Sequence, residues 1–68
     1  MKPKPIQRAV DAVGGVSQLA KSCDVTYEAV RKWLSLDRLP AERVLEVERL
    51  TGVSRHELRP DLYPRELA

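Results

Sequence analysis

The segment VTYEAVRKWLSLDRLPAERV, residues 25–44, separates its polar and apolar side chains onto two sides of a predicted helix. At helical spacing, Val30, Trp33 and Leu34 fall on the apolar side. The other side offers hydroxyl, carboxylate, guanidinium and ammonium groups from Thr26, Tyr27, Glu28, Arg31, Lys32 and Ser35. Such groups can hydrogen-bond the edges of nucleic-acid bases and the oxygens of phosphates. The spacing therefore predicts a helix that packs with one side and binds with the other.

Helical spacing of apolar residues continues along the chain, and turn residues divide it into short helices. Gly14-Gly15 predicts the end of a first helix that begins near Pro5. Two helices follow at about 16–23 and 27–35, and Pro40 opens a fourth that runs to about 51. Ser54 and Glu57 predict a capping box for a short fifth helix, which Pro60 stops. We expect an all-α fold, a compact bundle of four to five short helices.

The second and third predicted helices are separated only by a tight turn, Asp24-Val25-Thr26. Thr26 is a good N-cap, because its hydroxyl can accept from the free N–H groups of the next helical turn. Two short helices joined by such a turn form a helix-turn-helix, whose second helix can lie in the DNA major groove.

Individual roles follow from side-chain chemistry. Arg31 is the best candidate for a base contact, because its fork suits guanine O6 and N7; a phosphate contact or a solvated charge is the alternative. Lys32 is expected to contact phosphate. Glu28 either accepts from cytosine N4 or orients Arg31, and Tyr27 either contacts DNA or packs. Further phosphate contacts are predicted for Ser17 and Gln18 at the start of helix 2, with Lys21, Lys2 and Lys4 as additional candidates.

The segment 16–35 resembles the helix-turn-helix of the phage Cro and repressor families. Ala20 stands where a small residue lets the two helices approach, Val25 is the apolar residue of the turn, and Val30 and Trp33 are the inward anchors. The turn position that these families usually give to glycine is Asp24, a residue type that tolerates left-handed geometry.

The resemblance extends from about residue 6 to 64 through VDAVGGVSQLAKSCDVTYEAVRKWL, LPAERVLEVERLTG and HELRPDLYP. These stretches look like the small YdaS-type Cro-like transcriptional regulators of bacteria and their prophages. The resemblance implies a lambda-repressor/Cro-like fold and a repressor of transcription that binds double-stranded DNA. It also implies a homodimer, in one interpretation formed only on DNA. Relatives described as antitoxin-like give the alternative, a module that binds a toxin partner.

Length and composition narrow the class of protein. With 68 residues, of which 43% are hydrophobic and 32% charged, the chain suits one domain over 1–64 with a loose tail over 65–68. The absence of a long apolar run predicts a cytoplasmic protein with no membrane partner, and the expected DNA binding would make it nucleoid-associated. Residues 1–35 carry six cations against three anions, so one half is positive and can attract a polyanion. No nucleophile–base pair, paired carboxylates or metal ligands stand out, so we expect no enzyme activity, cofactor or metal.

The remaining residues are predicted to be structural. Cys23 is expected to be buried, and His56 to lie at the surface or pack lightly. Leu58, Leu62 and Tyr63 are expected to fold back onto the bundle. The fourth helix has a wide apolar arc, which is either covered by helix 1 and the C-terminal segment or used as a subunit interface. This arc consists of Ala41, Val44, Leu45, Val47 and Leu50.

Overall fold

The computed structural model describes residues 4–64, and this part of the chain is helical without any strand. Its elements are α1 (Pro5–Val13), α2 (Val16–Cys23), α3 (Tyr27–Leu36), a 3-10 turn (Ala41–Arg43), α4 (Val44–Thr51) and α5 (Arg55–Leu58). The predicted all-α bundle is confirmed. The proposed contact by Lys2 and the proposed tail over 65–68 lie outside the described residues.

Left-handed residues end four of the helices, since this conformation turns the chain while the last carbonyls still accept hydrogen bonds. Gly14 (φ 97°) follows α1 and Gly52 (φ 79°) follows α4, as expected for glycine. Asp24 (φ 57°) follows α2, which confirms the left-handed geometry inferred for that position. Asp37 (φ 52°) plays the same part after α3, although nothing in its local pattern distinguished it.

The start of helix 4 differs from the prediction. Pro40 has an extended backbone (ψ 142°), and its carbonyl accepts from the N–H of Arg43 at 2.9 Å. This bond spans three residues, so the chain enters α4 through the 3-10 turn, and the α-helix itself begins at Val44. Helix α3 also runs one residue further than predicted, to Leu36.

The predicted capping box of the fifth helix is only half formed. Ser54 does cap α5, because its hydroxyl accepts from the N–H of His56 at 3.1 Å. Glu57, however, forms an ion pair with Arg8 of α1. A guanidinium competes well for a carboxylate, since both partners of that bond are ionised, whereas a backbone N–H carries no net charge. The side chain of Glu57 therefore ties α5 to α1.

A single cluster of buried apolar side chains lies between the helices. It includes Val30, Trp33 and Cys23, so the predicted burial of these three residues is confirmed. Small Ala9 and Ala20 allow the helix backbones to approach closely. The other members are Ile6, Val10, Leu19, Leu39, Val44, Val47, Val53 and Leu58.

The structure contradicts one of the two alternatives for the apolar arc of helix 4, and the expectation that Leu62 folds back onto the bundle is wrong. Val44 and Val47 of α4 are buried, but Leu45 and Leu50 on its two flanks are 48% and 39% exposed, so helix 1 and the C-terminal segment do not cover the whole arc. At the C-terminal end, Leu58 and Tyr63 do pack against the core, whereas Leu62 is exposed. The turn after α5 causes this, because both Leu62 and Tyr63 bond to one carbonyl and only Tyr63 points inward.

Candidate nucleic-acid interface

The turn between α2 and α3 is fixed by its own hydrogen bonds. The N–H of Val25 donates to the carbonyl of Ala20 at 2.9 Å, and the N–H of Asp24 donates to that of Lys21 at 3.2 Å. Thr26 then caps α3 by accepting from the N–H of Ala29 at 3.1 Å, as predicted. The side chain of Val25 packs against the core. Together these contacts hold α3 at a fixed angle to α2.

One face of helix α3 is apolar and buried, and the opposite face is polar and exposed. Val30 and Trp33 are buried, with Trp33 only 6% exposed. Successive residues are rotated by roughly 100° around an α-helix. One arc of about 100° on the other side of α3 therefore contains Glu28, Arg31, Lys32 and Ser35. We call this arc the outer face of α3. All predicted contact residues are solvent-exposed: Ser17, Gln18, Thr26, Tyr27, Glu28, Arg31, Lys32 and Ser35.

The cations of the outer face are available to a ligand. Arg31 and Lys32 form no ion pair with any of the described residues, and Glu28 does not hydrogen-bond Arg31 there. This contrasts with Arg8, Arg43, Arg55 and Arg59, each of which has a carboxylate partner. The side of α3 that no other helix covers therefore carries two cations without a carboxylate partner among the described residues.

A shallow depression connects the outer face to the start of α2. It is lined by Gln7 of α1, Val16 of α2, and Arg31, Leu34 and Ser35 of α3. Gln7 donates to the carboxylate of Asp11 at 3.0 Å on the same helix. The depression places Arg31 beside the N-terminal end of α2, where Ser17 and Gln18 are exposed. Arg31 and the first residue of α2, Val16, thus line the same depression.

Two of the proposed contact residues have further features. The hydroxyl oxygen of Thr26 is already an acceptor in the helix cap, which leaves its proton for donation. Tyr27 is 45% exposed, so roughly half of its surface stays accessible to a ligand.

Arg43 supports the helix-turn-helix from outside it. Its Nη1 donates to the carbonyl oxygen of Cys23, at the end of α2, at 3.0 Å, and to Oε1 of Glu46 at 3.2 Å. A cation at this position also complements the negative end of the helix dipole. The pKa of Cys23 is raised by burial and by nearby Glu46, against an opposing effect of Arg43. A buried thiol of raised pKa is a packing group and not a nucleophile.

Arg59 supports the loop after α3 in the same way. Its Nη1 donates to the carbonyl of Leu39 at 2.7 Å, and its Nε and Nη2 donate to the carboxylate of Asp61 at 2.9 and 2.7 Å. The hydrogen bonds from Arg59 lower the pKa of Asp61 to about 2. Arg43 and Arg59 were missed in the sequence, because each contacts a carbonyl 20 residues away and no local spacing signals such a bond.

Among residues 4–64, no helix combines the length and the apolar character that crossing a bilayer requires. Within these residues, His, Cys, Asp and Glu side chains nowhere gather into a group of three or more that could hold a metal ion.

The fold and the exposed outer face define a small helix-turn-helix protein. A family model described as bacterial toxin YdaS matches residues 6–67, and the chain belongs to this family. Among solved structures, the Cro protein from the prophage element Xfaso 1 of Xylella fastidiosa strain Ann-1 is similar, with 38% sequence identity and a TM-score of 0.88. That match covers 93% of this chain and 100% of the Cro chain. No curated protein matches this chain. The predicted family and the Cro-like fold are confirmed.

Proposed function

We propose that this protein is a sequence-specific DNA-binding repressor of transcription, with α3 in the major groove. One observation carries the proposal: the outer face of α3 presents unpaired Arg31 and Lys32 to solvent while Trp33 is buried on the opposite side. A major groove about 12 Å wide accepts one helix of this kind. The similarity to a prophage Cro protein supports the same function.

In this proposal one side chain contacts a base, and others contact the phosphates of the DNA backbone. Arg31 donates both arms of its fork to guanine O6 and N7. Lys32 contacts a phosphate, and Ser17 and Gln18 contact a phosphate at the N-terminus of α2, where the helix dipole favours an anion. Thr26, Tyr27, Glu28 and Ser35 complete the surface that meets the DNA.

A pair of copies on a two-fold symmetric site completes the proposal. One short helix touches few base pairs, whereas two recognition helices about one DNA turn apart multiply the sequence discrimination. No enzyme activity is part of the proposed function, since repression requires only that the operator be occupied.

The first experiment is selection of bound duplexes from a random pool, followed by titration of the selected site and its single-base variants. Arg31→Ala should lose about 1–3 kcal/mol and relax the preference at one base position, whereas Lys32→Ala should weaken all sequences alike and reduce the salt slope by about one. Arg49→Ala is the matched control, because Arg49 is an exposed cation of α4 outside the helix-turn-helix. If Arg31→Ala binds every sequence as Arg49→Ala does, the groove assignment is wrong.

A second candidate function is binding of a protein partner. The exposed Leu45 and Leu50 of α4 favour it, because apolar side chains on a surface gain by being covered. We inferred an antitoxin-like module that binds a toxin, whereas the family model bears the name of a toxin itself. Expression of the chain in a bacterial host distinguishes an effect through DNA from an effect through a protein partner. If the expressed chain arrests growth and Arg31→Ala abolishes the arrest, the arrest acts through DNA. If only Leu45→Ser abolishes it, the arrest acts through a protein partner.

Salt dependence gives an independent distinction between the two candidates. Binding through several phosphates weakens steeply as the salt concentration rises, because condensed counterions are released from the DNA. Binding of a partner through Leu45 and Leu50 depends little on salt, since burial of apolar surface is not screened. A titration of the wild-type chain at several salt concentrations therefore assigns the dominant interaction.

A further inference from the structure

The depression between α1, α2 and α3 has two apolar side chains in its lining. Leu34 of α3 and Val16 of α2 line it, together with Gln7, Arg31 and Ser35. Leu34 and Val16 are half-buried and pack against the core, and we call them the apolar floor of the depression. Neither side chain carries a polar atom that could bond to a phosphate or to a base edge. The apolar floor therefore has no part in the polar contacts proposed above.

We propose that the apolar floor binds the 5-methyl group of a pyrimidine, which belongs to the thymine or 5-methylcytosine next to the guanine that Arg31 contacts. The inference rests on the proposed DNA binding. It adds a second base that the protein reads and the chemical group by which this base is read. A methyl group neither donates nor accepts a hydrogen bond, so the polar side chains of the outer face cannot read it in its place.

The chemistry of the major groove favours a methyl group as the occupant. Guanine, adenine and cytosine present hydrogen-bond donors and acceptors there, whereas thymine adds a methyl group at C5. If Leu34 and Val16 covered a nitrogen or oxygen of a base edge, that atom would lose its water and gain no partner, which costs free energy. Covering a methyl group releases water without this cost. Because 5-methylcytosine carries the same group at the same ring position, the floor accepts either base.

The position of Leu34 on α3 determines which base it meets. Leu34 follows Arg31 by three residues, so it lies about 4.5 Å further along the helix axis and about 60° around it. Lys32 is rotated from Arg31 in the opposite direction, by about 100°. Neighbouring bases of one DNA strand are about 3.4 Å apart, so the step from Arg31 to Leu34 is close to one base step. A guanine at Arg31 therefore brings its neighbour to the apolar floor.

The polar side chains around the floor argue against a phosphate as the occupant. On the α1 side, Nε2 of Gln7 donates to Oδ1 of Asp11 at 3.0 Å, so an anion there would approach a carboxylate. On the α3 side, the guanidinium of Arg31 is engaged by guanine in the proposed complex. A phosphate would thus meet one repelling group and two apolar side chains. A methyl group carries no charge and avoids both costs.

The test removes single methyl groups from the duplexes selected from the random pool. The selected half-sites should carry thymine beside the guanine whose preference Arg31→Ala relaxes. Deoxyuridine then replaces this thymine and removes only the methyl group. The wild-type chain should bind the thymine duplex about 4-fold more tightly for each half-site altered, since burial of one methyl group contributes about 0.8 kcal/mol. With 5-methylcytosine and cytosine at the same position, the methyl group should give the same ratio.

Substitution of Leu34 tests which side chain contacts the methyl group. Leu34→Ala should bring the ratio of the two affinities close to one, because the shortened side chain no longer reaches the methyl group. Leu36→Ala is the matched control and should keep the ratio at about 4. It makes the same change in the same helix, at an exposed leucine outside the depression. Both affinities come from one protein preparation, so any loss of folded protein in a variant cancels in the ratio.

The outcomes separate the two proposals. A wild-type chain that binds no duplex of the pool overturns the proposed function. The inference alone is overturned if the selected half-sites lack thymine beside this guanine, or if the wild type binds the thymine and deoxyuridine duplexes equally. It is also overturned if Leu34→Ala keeps the ratio at about 4, or if methylation of the cytosine has no effect.

Discussion

Replacement of Arg43 by methionine should loosen the connection between α4 and the helix-turn-helix. Arg43 donates to the carbonyl of Cys23 at 3.0 Å, while its ion pair with Glu46 is partly exposed. Hydrogen bonds to a charged group contribute about 1.5–3 kcal/mol, whereas an exposed ion pair adds about 0–1 kcal/mol. Because 33% of the Arg43 side chain is exposed, we expect the loss in free energy of unfolding to lie near the lower limit of the first range. Arg43→Met keeps most of the aliphatic stem and should cost about 1.5 kcal/mol.

The assay is unfolding followed by the fluorescence of Trp33, which is the only tryptophan and is buried. For a domain of this size about 1 kcal/mol corresponds to a shift of roughly 4–8 °C in Tm. Arg43→Met should therefore lower Tm by about 6–12 °C, with an unchanged m-value in urea. Arg43→Lys should recover part of the loss, since one charged donor remains.

Arg49→Met is the control for this prediction. Arg49 is an exposed cation of the same helix and has no hydrogen-bond or ion-pair partner among the described side chains. Its loss should change Tm by at most about 2 °C, as is usual for exposed positions. Equal melting temperatures for Arg43→Met and Arg49→Met would show that the bond to the end of α2 contributes nothing.

Substitutions at three further positions test the fold. Asp24→Val should lower the free energy of unfolding by about 1–2 kcal/mol and Asp24→Gly should not, because φ is positive there; equal urea midpoints would contradict this. Trp33→Ala should cost about 3–5 kcal/mol, which is comparable to the total stability of a small domain, so a wild-type circular dichroism melt would refute its role as an anchor. The pKa of Asp61 falls from 3.8 to about 2 on folding. The ionised carboxylate of Asp61 therefore stabilises the fold fully above pH 3.8, and this stabilisation is lost as the pH falls towards 2. When the free energy of unfolding is measured against pH in acid, Asp61→Asn should remove this part of its pH dependence.

The helix-turn-helix was predictable from the sequence because its signals are local. The cap by Thr26, the left-handed turn at Asp24 and the inward Trp33 each depend on residues within one or two helical turns. Chemistry at such short range is visible in a sequence as residue type and spacing. The outer face of α3 follows from the same periodicity, since burial of Val30 and Trp33 leaves the other side exposed.

The features that were missed depend on contacts between distant segments. Arg43 and Arg59 each bond to a carbonyl from another part of the chain, and Glu57 prefers Arg8 to its own helix. The exposure of Leu62 depends on the turn that Arg59 holds. Spacing within a helix shows which residues share a face, but it does not show which neighbour covers that face. For the same reason the DNA contacts themselves stay a prediction.

Protection of guanine N7 from methylation by dimethyl sulfate is the most direct test of the central claim. N7 lies in the major groove, so a helix inserted there with Arg31 on guanine shields it. The wild-type chain should protect at least one guanine in each half-site, and Arg31→Ala, at a concentration that restores occupancy, should leave that guanine reactive. Full occupancy without protection, or equal protection by Arg31→Ala, would contradict the placement of α3 in the groove.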